Sequence, residues 1–335
     1  QRVFAARNNL ILKKSLIYSS IISFSIVLWM GYTGLISFSI DPEIKPDLAF
    51  FKLMLLNNNI LIIVSILVLA IALTLSTIDT LINAISSLII INGKEINKFL
   101  GGREIMDVYQ NDFDVVHKED NSPLTIADQR ANRVIEEHLK TTEIPILSEE
   151  GIHLDYDTRK KWEYLWIVDP LDGTKEFIKR NGEFTVNIAL VKNGLPILGV
   201  IYVPVKNWMY FGNSKGSFKE INNELIKLPF SVAHRPYTAV GSRSHPSKET
   251  ADFFDQLKKE KGEVNVVSMG SSLKICLVAE GTADVYPRFA PTMEWDTAAG
   301  HAIAKFAGRT FKDVTTQQEM IYNREKLRNN WFIVE

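Results

Sequence analysis

The sequence predicts an α/β fold with alternating helices and strands in its C-terminal part, preceded by two transmembrane helices. Helical patterns cover residues 128–140, 248–261, 273–280 and 297–306. Short apolar runs typical of strands cover residues 164–168, 186–191, 199–203 and 209–212. The first hundred residues are nearly all apolar or hydroxylated, whereas the rest is an ordinary mixture. We therefore divide the chain into a membrane segment, residues 1–98, and an enzyme domain, residues 99–335.

Charge and cysteine content exclude several classes of protein. The formal net charge of −1 gives no general attraction for nucleic acid, so no nucleic acid polymer is expected as a partner. Binding of phosphate must then come from a local site. The single cysteine, Cys276, lies in an apolar run and cannot form an internal disulfide, which indicates a buried thiol in a reducing compartment.

Two apolar segments predict membrane spans, at about residues 15–40 and 60–91. The first holds no charged residue and is longer than the roughly 20 residues that a helix needs to cross a bilayer. The alternatives are a buried helical hairpin and a cleaved signal peptide, which fits less well because a second span follows. Positive residues flank the pair on its outer ends: Arg2, Arg7, Lys13 and Lys14 before it, and Lys94, Lys98 and Arg103 after it. This charge bias predicts a protein of the cytoplasmic membrane, bound to the lipid bilayer, with its enzyme domain in the cytoplasm.

Polar residues interrupt the second predicted span at Ser76, Thr77, Asp79 and Thr80. Residues 75–87 resemble a late helix of sodium/solute symporters, a family in which hydroxyls of that helix help to bind sodium. Two helices cannot rebuild a transport core, so we interpret the segment as an anchor. A natural gene fusion and a misassembled sequence would both explain such a fragment, and the sequence leaves both open.

Carboxylates in the C-terminal part predict a metal site. Residues 166–168 indicate a buried strand, and Pro170 should end it, which leaves Asp169 at the strand terminus. A turn begins at Asp172, so the two carboxylates should converge with the carbonyl of Leu171 between them. Such hard oxygen ligands suit magnesium, although this block alone could equally be a capped loop.

Three further acids stand beside predicted elements. Glu149 ends the apolar stretch 144–147, and Asp296 immediately precedes the predicted helix start at Thr297. Asp296 could be an N-cap, and the positive end of the helix could also attract a phosphate. Asp128 could likewise be an N-cap or a first-turn acid of its helix.

These blocks have the order and signature of the inositol monophosphatase superfamily, which residues 99–335 resemble throughout. The shared features are an Asp-x-x-Asp-Gly-Thr core at 169–174, a Glu-Glu pair at 149–150 and a Trp-Asp pair at 295–296. The resemblance implies an αβαβα layered sandwich and two or more Mg²⁺ ions. It implies the metal ligands Glu149, Asp169, the Leu171 carbonyl, Asp172 and Asp296. It also implies direct attack of water on phosphorus, with Asp128 and Thr174 positioning and deprotonating that water.

Local sequences are similar to those of the CysQ-type 3′(2′),5′-bisphosphate nucleotidases within the superfamily. They are Lys-Glu-Phe at 175–177, and residues 242–246, 270–274 and 279–288. The resemblance implies magnesium-dependent hydrolysis of 3′-phosphoadenosine 5′-phosphate to AMP and phosphate, in sulfur assimilation or nucleotide recycling. It leaves a homodimer as one possibility.

A bisphosphate keeps a second phosphate after cleavage, so its site needs additional donors. Lys175, Arg243, Lys274 and Arg288 are the candidate cations, and the glycine-serine turn at Ser271 could offer backbone amides. Each cation could instead be a solvated surface charge. The other predicted substrate contacts are Glu149, Leu171, Asp172, Gly173, Thr174 and Asp296.

Other functions stay open at this point. An inositol or other sugar phosphate phosphatase would use the same metal site. A transporter fragment with a nucleotide-sensing tail belongs to a different class, but a sensor would not need Thr174 together with Asp128. A nonfunctional fusion product is the remaining alternative.

Overall fold

The computed structural model describes residues 32, 36, 39–40, 101–111, 115–117, 123–230, 235–244 and 247–335. These residues belong to two compact units, Gln1–Ser87 and Leu88–Glu335. The described residues of the first unit are helical. Apart from them, the predicted membrane spans and the symporter-like stretch lie outside the described residues. Within the described part of the chain, no helix combines the length and the apolar character that crossing a bilayer requires.

The second unit alternates helices and strands. Its described helices are α1 (Gly102–Tyr109), α2 (Ile126–Leu139), α3 (Tyr156–Arg159), α4 (Thr174–Ile178), α5 (Lys248–Lys261), α6 (Leu273–Glu280) and α7 (Glu294–Phe306). Its described strands are β1 (Val115–His117), β2 (Pro123–Thr125), β3 (Ile146–Ser148), β4 (Tyr164–Asp172), β5 (Thr185–Lys192), β6 (Leu195–Val203), β7 (Trp208–Asn213), β8 (Gly216–Ile221), β9 (Glu224–Leu228), β10 (Tyr237–Ser242), β11 (Val264–Met269), β12 (Tyr286–Arg288), β13 (Phe311–Asp313) and β14 (Phe332–Val334). Short 3₁₀ helices occur at Lys140–Thr142 and Pro204–Lys206.

The largest described sheet has the strand order β3-β4-β5-β6-β7-β8-β9. Its β3–β4 pair is parallel and every later pair is antiparallel. In the smaller sheets, β10 pairs with β11 in parallel, and β14 lies between β12 and β13 in antiparallel register. A bridge from Ala239 to Val285 joins these two small sheets side by side.

Side chains of the large sheet alternate between two apolar cores. Leu165 and Ile167 of β4 face one core with α6 and α7, whereas Trp166 and Val168 face the other with α1 and α2. Helix α6 also contacts β10 and β12, and α5 packs on the opposite side of these strands around Leu257. The layers therefore run helix, sheet, helix, sheet, helix. This confirms the predicted α/β class and agrees with the αβαβα arrangement that the resemblance implied.

Small residues let α7 lie directly on the large sheet. A Cβ atom at Gly199 would lie 2.2 Å from the carbonyl oxygen of Ala299, and one at Gly212 would lie 2.7 Å from Cα of Ile303. Any side chain at either position would push the helix away. The close contact fixes the N-terminus of α7, and with it Asp296, relative to β4.

The prediction that the strand ends at Val168 is wrong, because β4 continues to Asp172. Asp169 pairs with Asn187 and Asp172 pairs with Thr185, so two residues of β4 oppose one residue of β5 between these pairs. Such a β-bulge leaves part of the ladder unpaired, and a proline is tolerated there. The bulge also redirects the side chains that follow it.

Helix α7 begins three residues earlier than predicted, which corrects the place of Asp296. It is the third residue of the helix rather than its N-cap, and its Oδ2 accepts the N–H of Met293 at 2.8 Å. In α2 the N-cap is Thr125, and Asp128 is a first-turn acid, one of the two predicted roles. The thiol of Cys276 is buried, as predicted.

Candidate active site

A cavity of about 630 Å³ lies where the bulge of β4, the start of α4, the start of α6 and the start of α7 meet. This volume is typical of small-molecule sites. The predicted site residues that line the cavity are Glu149, Asp169, Leu171, Asp172, Gly173, Thr174, Lys175, Ser271, Lys274, Arg288 and Asp296. Asp128 and Arg243 are not among its lining residues.

Four carboxylates share one side of this cavity. Burial raises the pKa of Asp169, and the negative charges of Glu149 and Asp172 raise it further. Desolvation likewise raises the pKa of Asp296 to about 8, with added repulsion from Asp172 and Glu149. Asp172 and Asp296 keep part of their surface open to the cavity, yet the surrounding protein still desolvates both. The fold has therefore gathered mutually repelling negative charges.

Asp172 is fixed by the turn that precedes α6. Its Oδ2 accepts the N–H of Ser272 at 2.5 Å, the amide of Asn187 at 3.3 Å and the hydroxyl of Thr185 at 3.4 Å. Burial raises the pKa of this carboxyl, whereas the ammonium of Lys274 lowers it. All three donors meet the same oxygen, Oδ2, and so fix the orientation of the carboxylate.

The donor chemistry of this side fits magnesium. Its side chains offer only carboxylate oxygens, and a divalent cation would relieve their mutual repulsion. Within the described ranges, however, no three side chains of Asp, Glu, His or Cys stand in the geometry of a formed metal centre. The structure thus brings the predicted ligands to one cavity but does not arrange them around a common metal position. The set of magnesium ligands stays a prediction.

Asp128 reaches the cavity through Thr174. The hydroxyl oxygen of Thr174 lies 3.4 Å from Oδ1 of Asp128 and 3.3 Å from the carbonyl oxygen of Leu171, so these are the two acceptors open to its one proton. The other oxygen, Oδ2, accepts from the backbone and the hydroxyl of Thr125, both at 2.7 Å. Asp128 is buried, so its carboxylate stands behind the cavity wall and contacts the threonine that forms it.

Two buried cations also line the cavity, near enough to Asp172 and Asp296 to oppose the rise that burial causes in their pKa values. Lys274 is buried, and burial lowers its pKa to about 8, with Asp172 opposing and Arg288 adding to that shift. Its ammonium donates to the carbonyl of Ser271, a residue whose φ of +48° places it in the left-handed region. Arg288 is also buried, and its Nη2 donates to the carbonyl of Pro291 at 2.8 Å. Its Nε is buried and has no hydrogen-bond partner among the described residues.

The two remaining predicted cations differ from these. Lys175 lines the cavity but is exposed. Arg243 is turned towards Glu183, to which its Nε and Nη2 donate at 2.8 Å each. Its neighbours Ser242 and Ser244 line the cavity instead.

Several polar residues of the cavity wall are not among the predicted site residues, and Glu176, Ser244 and His153 are examples. Glu176 is buried and accepts a hydrogen bond from the hydroxyl of Ser244. His153 also lines the cavity, and its Nε2 donates to the carbonyl of Ser148 at 2.7 Å. Glu176 and Ser244 lie in stretches that carried the family resemblance, but only their position near the cavity gives them a chemical context. No sequence pattern singles out His153.

Comparison with known proteins identifies the family. The profile of the inositol monophosphatase family matches residues 90–332, which is most of the chain. The chain therefore belongs to the inositol monophosphatase family, as its carboxylate blocks predicted. Enzymes of this family depend on metal ions, typically Mg²⁺.

Among its relatives, this chain is similar to the 3′(2′),5′-bisphosphate nucleotidase CysQ of Escherichia coli K12. The two are 51% identical over 216 residues, which cover 63% of this chain and 85% of the relative. The crystal structure of CysQ from Bacteroides thetaiotaomicron is 50% identical, with a TM-score of 0.65, and the match covers 71% of this chain and 93% of that one. The inositol monophosphatase of Thermotoga maritima has a TM-score of 0.59 at 23% identity, with coverage of 73% and 91%, and shares the fold.

Proposed function

We propose that this chain is a 3′(2′),5′-bisphosphate nucleotidase, a phosphoric monoester hydrolase that converts 3′-phosphoadenosine 5′-phosphate to AMP and phosphate with Mg²⁺. The similarity to CysQ relatives at about half identity supports this activity. The observation that carries the choice of substrate is the presence of two buried cations in the cavity wall, Lys274 and Arg288; the Nε of Arg288 has no hydrogen-bond partner among the described residues.

A bisphosphate would satisfy both the carboxylates and the cations of this cavity. The carboxylates would hold the Mg²⁺ that binds the phosphate to be cleaved. A buried guanidinium nitrogen without a partner costs free energy, and an anionic oxygen would pair with it in a strong charge-assisted hydrogen bond. The second phosphate of the substrate would provide that oxygen. A sugar monophosphate has no second phosphate to offer.

The proposed magnesium ligands are Glu149, Asp169, the carbonyl of Leu171, Asp172 and Asp296. Bound Mg²⁺ supplies a lowered pKa for the attacking water and neutralises charge on the phosphate and on the leaving oxygen. The turn before α6 holds Asp172 for this role through the N–H of Ser272. Two or more ions are expected, by resemblance to the family.

The protein's own acid–base group is the pair of Thr174 and Asp128. We propose that the threonine hydroxyl positions the attacking water and that the carboxylate takes its proton through that hydroxyl. The hydrogen bond from Thr174 to Asp128 supports this order of transfer. Residues 173–175 and Ser271 would contact the substrate, because they line the same cavity.

The alternative substrate is an inositol or other sugar phosphate, which would use the carboxylate side alone. The test measures magnesium-dependent phosphate release from 3′-phosphoadenosine 5′-phosphate and from inositol 1-phosphate. It uses the wild type and Asp169→Asn. We expect fast turnover of the nucleotide, lost in the variant. A preference for inositol 1-phosphate would overturn the substrate while keeping the fold family.

We also propose that the predicted spans at residues 15–40 and 60–91 hold the enzyme on the cytoplasmic membrane, in a pathway of sulfur assimilation or nucleotide recycling. The charge bias around these segments supports this orientation. Fractionation of cells with an intact-mass check tests it: full-length protein in the membrane fraction is the expected result.

The proposed homodimer is a separate point. Sedimentation of the purified protein tests for it.

A further inference from the structure

One carboxylate joins three segments beside the cavity. Oε2 of Glu183 accepts the N–H of Gly270 at 2.7 Å. The guanidinium of Arg243 donates to both oxygens of the same carboxylate, at 2.8 Å each, and to the carbonyl of Ser268 at 2.8 Å. We name Glu183, Arg243 and Gly270 the Glu183 clamp. It connects Glu183, two residues before β5, to the residues that directly follow β10 and β11.

The clamp holds a turn that forms part of the cavity wall. Gly270 begins this turn, and a Cβ atom there would lie 2.7 Å from Cγ of Glu176 and 2.9 Å from the carbonyl oxygen of Glu183. The turn ends at Ser272, whose N–H donates to Asp172 at 2.5 Å. A displacement of Gly270 would therefore also move the N–H of Ser272, which donates to the carboxylate of Asp172.

Ser271, the residue between these points, lines the cavity together with Lys274. Ser271 has a φ of +48°, a conformation that a serine adopts only when its surroundings hold it. Its carbonyl accepts a hydrogen bond from Lys274, one of the two buried cations that line the cavity. The conformation of residues 270–272 thus sets the direction of three groups: the N–H of Ser272, the side chain of Ser271 and the ammonium of Lys274.

We propose that Glu183 and Arg243 are positioning residues that hold residues 270–272 in the conformation that binds substrate. Arg243 acts through Glu183 and does not contact the substrate itself. This inference rests on the proposed function for the identity of the substrate. It replaces the direct phosphate contact that the sequence suggested for Arg243.

The geometry favours a positioning role over a contribution to stability. The side chain of Arg243 is 44% exposed and that of Glu183 is 15% exposed. Water reaches the guanidinium and weakens the ion pair in part, so the pair is not an ion pair of the buried core. A bidentate guanidinium, in contrast, fixes the direction of a carboxylate, and here the carboxylate fixes a backbone N–H.

The first test measures kcat and KM for 3′-phosphoadenosine 5′-phosphate in Arg243→Ala, Glu183→Ala and the double variant. We expect each single change to raise KM about tenfold, with kcat changed far less, as for residues that orient a site from behind. The double variant should be no worse than either single one, because the two residues act as a unit. A direct phosphate contact by Arg243 predicts the opposite for Glu183→Ala, since release of the guanidinium would leave KM unchanged or lower it. That result would overturn the proposal.

Conservative variants separate the parts of the clamp. Glu183→Gln keeps an acceptor for the N–H of Gly270 but loses the charged pair, so its KM should lie between the wild type and Glu183→Ala. Arg243→Lys keeps the positive charge but loses the bidentate hydrogen bonding of the guanidinium, so its KM should be close to that of Arg243→Ala. A wild-type KM in Arg243→Lys would indicate that only the charge matters and would contradict the clamp.

A matched control exists at another bidentate pair. Arg235 donates to both oxygens of Asp284, at 2.6 and 3.0 Å, and neither residue lines the cavity. Arg235→Ala should leave KM at the wild-type value even if it lowers thermal stability. A rise in KM equal to that of Arg243→Ala would mean that any lost ion pair has this effect, and the proposal would fail.

Hydrogen exchange of the full chain without substrate gives a readout independent of turnover. The backbone amides of residues 270–272 should exchange roughly tenfold faster in Glu183→Ala and Arg243→Ala than in the wild type, and Arg235→Ala should not change them. Unchanged exchange in both clamp variants would overturn the proposal. If exchange rises while the wild type fails to hydrolyse the nucleotide, the clamp stands and the proposed function does not.

Discussion

The hydroxyl of Thr174 lies within hydrogen-bond distance of Oδ1 of Asp128, at 3.4 Å, although the two residues are 46 positions apart in sequence. The carboxylate cannot rotate freely, because Oδ2 accepts two hydrogen bonds from Thr125 at the start of α2. A helix cap on one side of the large sheet thus orients a catalytic candidate at the cavity. Structural capping and proposed catalysis use different oxygens of one side chain.

Replacement of the hydroxyl tests this relay. Thr174→Val keeps the shape of the side chain but removes the donor to Asp128, so kcat should fall about a hundredfold, the usual contribution of a general base. Thr174→Ser keeps the hydroxyl and should keep most of the activity. Steady-state kinetics on both variants decides the matter. Equal kcat values in the two variants would exclude the relay.

Ionised Asp169 should lower the stability of the metal-free protein while contributing to metal binding. Burial and the neighbouring carboxylates raise its pKa, so an ionised Asp169 is unfavourable without a cation. Asp169→Asn should therefore raise the thermal midpoint in EDTA and abolish the further rise that Mg²⁺ gives the wild type. Differential scanning calorimetry with and without Mg²⁺ measures both effects. A variant that Mg²⁺ still stabilises as strongly would remove Asp169 from the ligand set.

Lys274 should discriminate between one phosphate and two. Loss of a hydrogen bond to a charged group costs about 1.5–3 kcal/mol, which is roughly a tenfold to hundredfold loss in kcat/KM. We expect Lys274→Ala to show this loss with 3′-phosphoadenosine 5′-phosphate and a much smaller one with 3′-AMP, which lacks the second phosphate. Comparison of kcat/KM for the two nucleotides checks it. Equal losses would place Lys274 at the cleaved phosphate instead.

The contact between β6 and α7 should be intolerant of a methyl group. A Cβ atom at Gly199 would overlap the carbonyl oxygen of Ala299 at 2.2 Å, so Gly199→Ala should lower the free energy of unfolding by about 1–3 kcal/mol or more. Gly241→Ala is a matched control, because its nearest neighbour would be Phe254 at an ordinary 3.4 Å. Urea denaturation compares the two variants. A similar loss in both would contradict the close approach.

Acid should weaken the packing of α7 through His301 and Glu319. The hydrogen bond from His301 lowers the pKa of Glu319 to about 2 from 4.5, and burial lowers the pKa of His301 below 6.5. Both folded pKa values lie below their unfolded values, so the unfolded state binds more protons in acid. Their stabilisation is fully present above pH 6.5 and declines as pH falls, with the share of Glu319 lost between about 4.5 and 2.

The measurement is the free energy of unfolding against pH for the wild type and Glu319→Gln. The variant should show a shallower slope below pH 4.5, since its side chain cannot take up a proton. Asp255→Asn serves as a control, because Asp255 forms an exposed pair with Lys258. If the slope of Glu319→Gln matches that of the wild type, the hydrogen bond to His301 does not link stability to pH.

Local sequence was sufficient for much of the fold. The helices α5 and α6 begin and end where their patterns predicted, because each has a clear apolar face or a terminal glycine at Gly262 or Gly281. The end of β4 was not predictable in this way. A proline usually ends a regular ladder, but the partner strand β5 accepts it in a bulge, and no local pattern reveals which partner a strand will have.

By itself, the sequence determined the family and the acids of the site, because the blocks around Glu149, Asp169 and Asp296 have fixed residue types in a fixed order. Only the tertiary structure decided how these residues are used. It turned Arg243 away from the cavity to Glu183, left the Nε of Arg288 without a described partner, and placed Thr174 against Asp128. The physical reason is that hydrogen bonding and burial depend on neighbours distant in sequence, whereas a motif specifies only the groups available to bond.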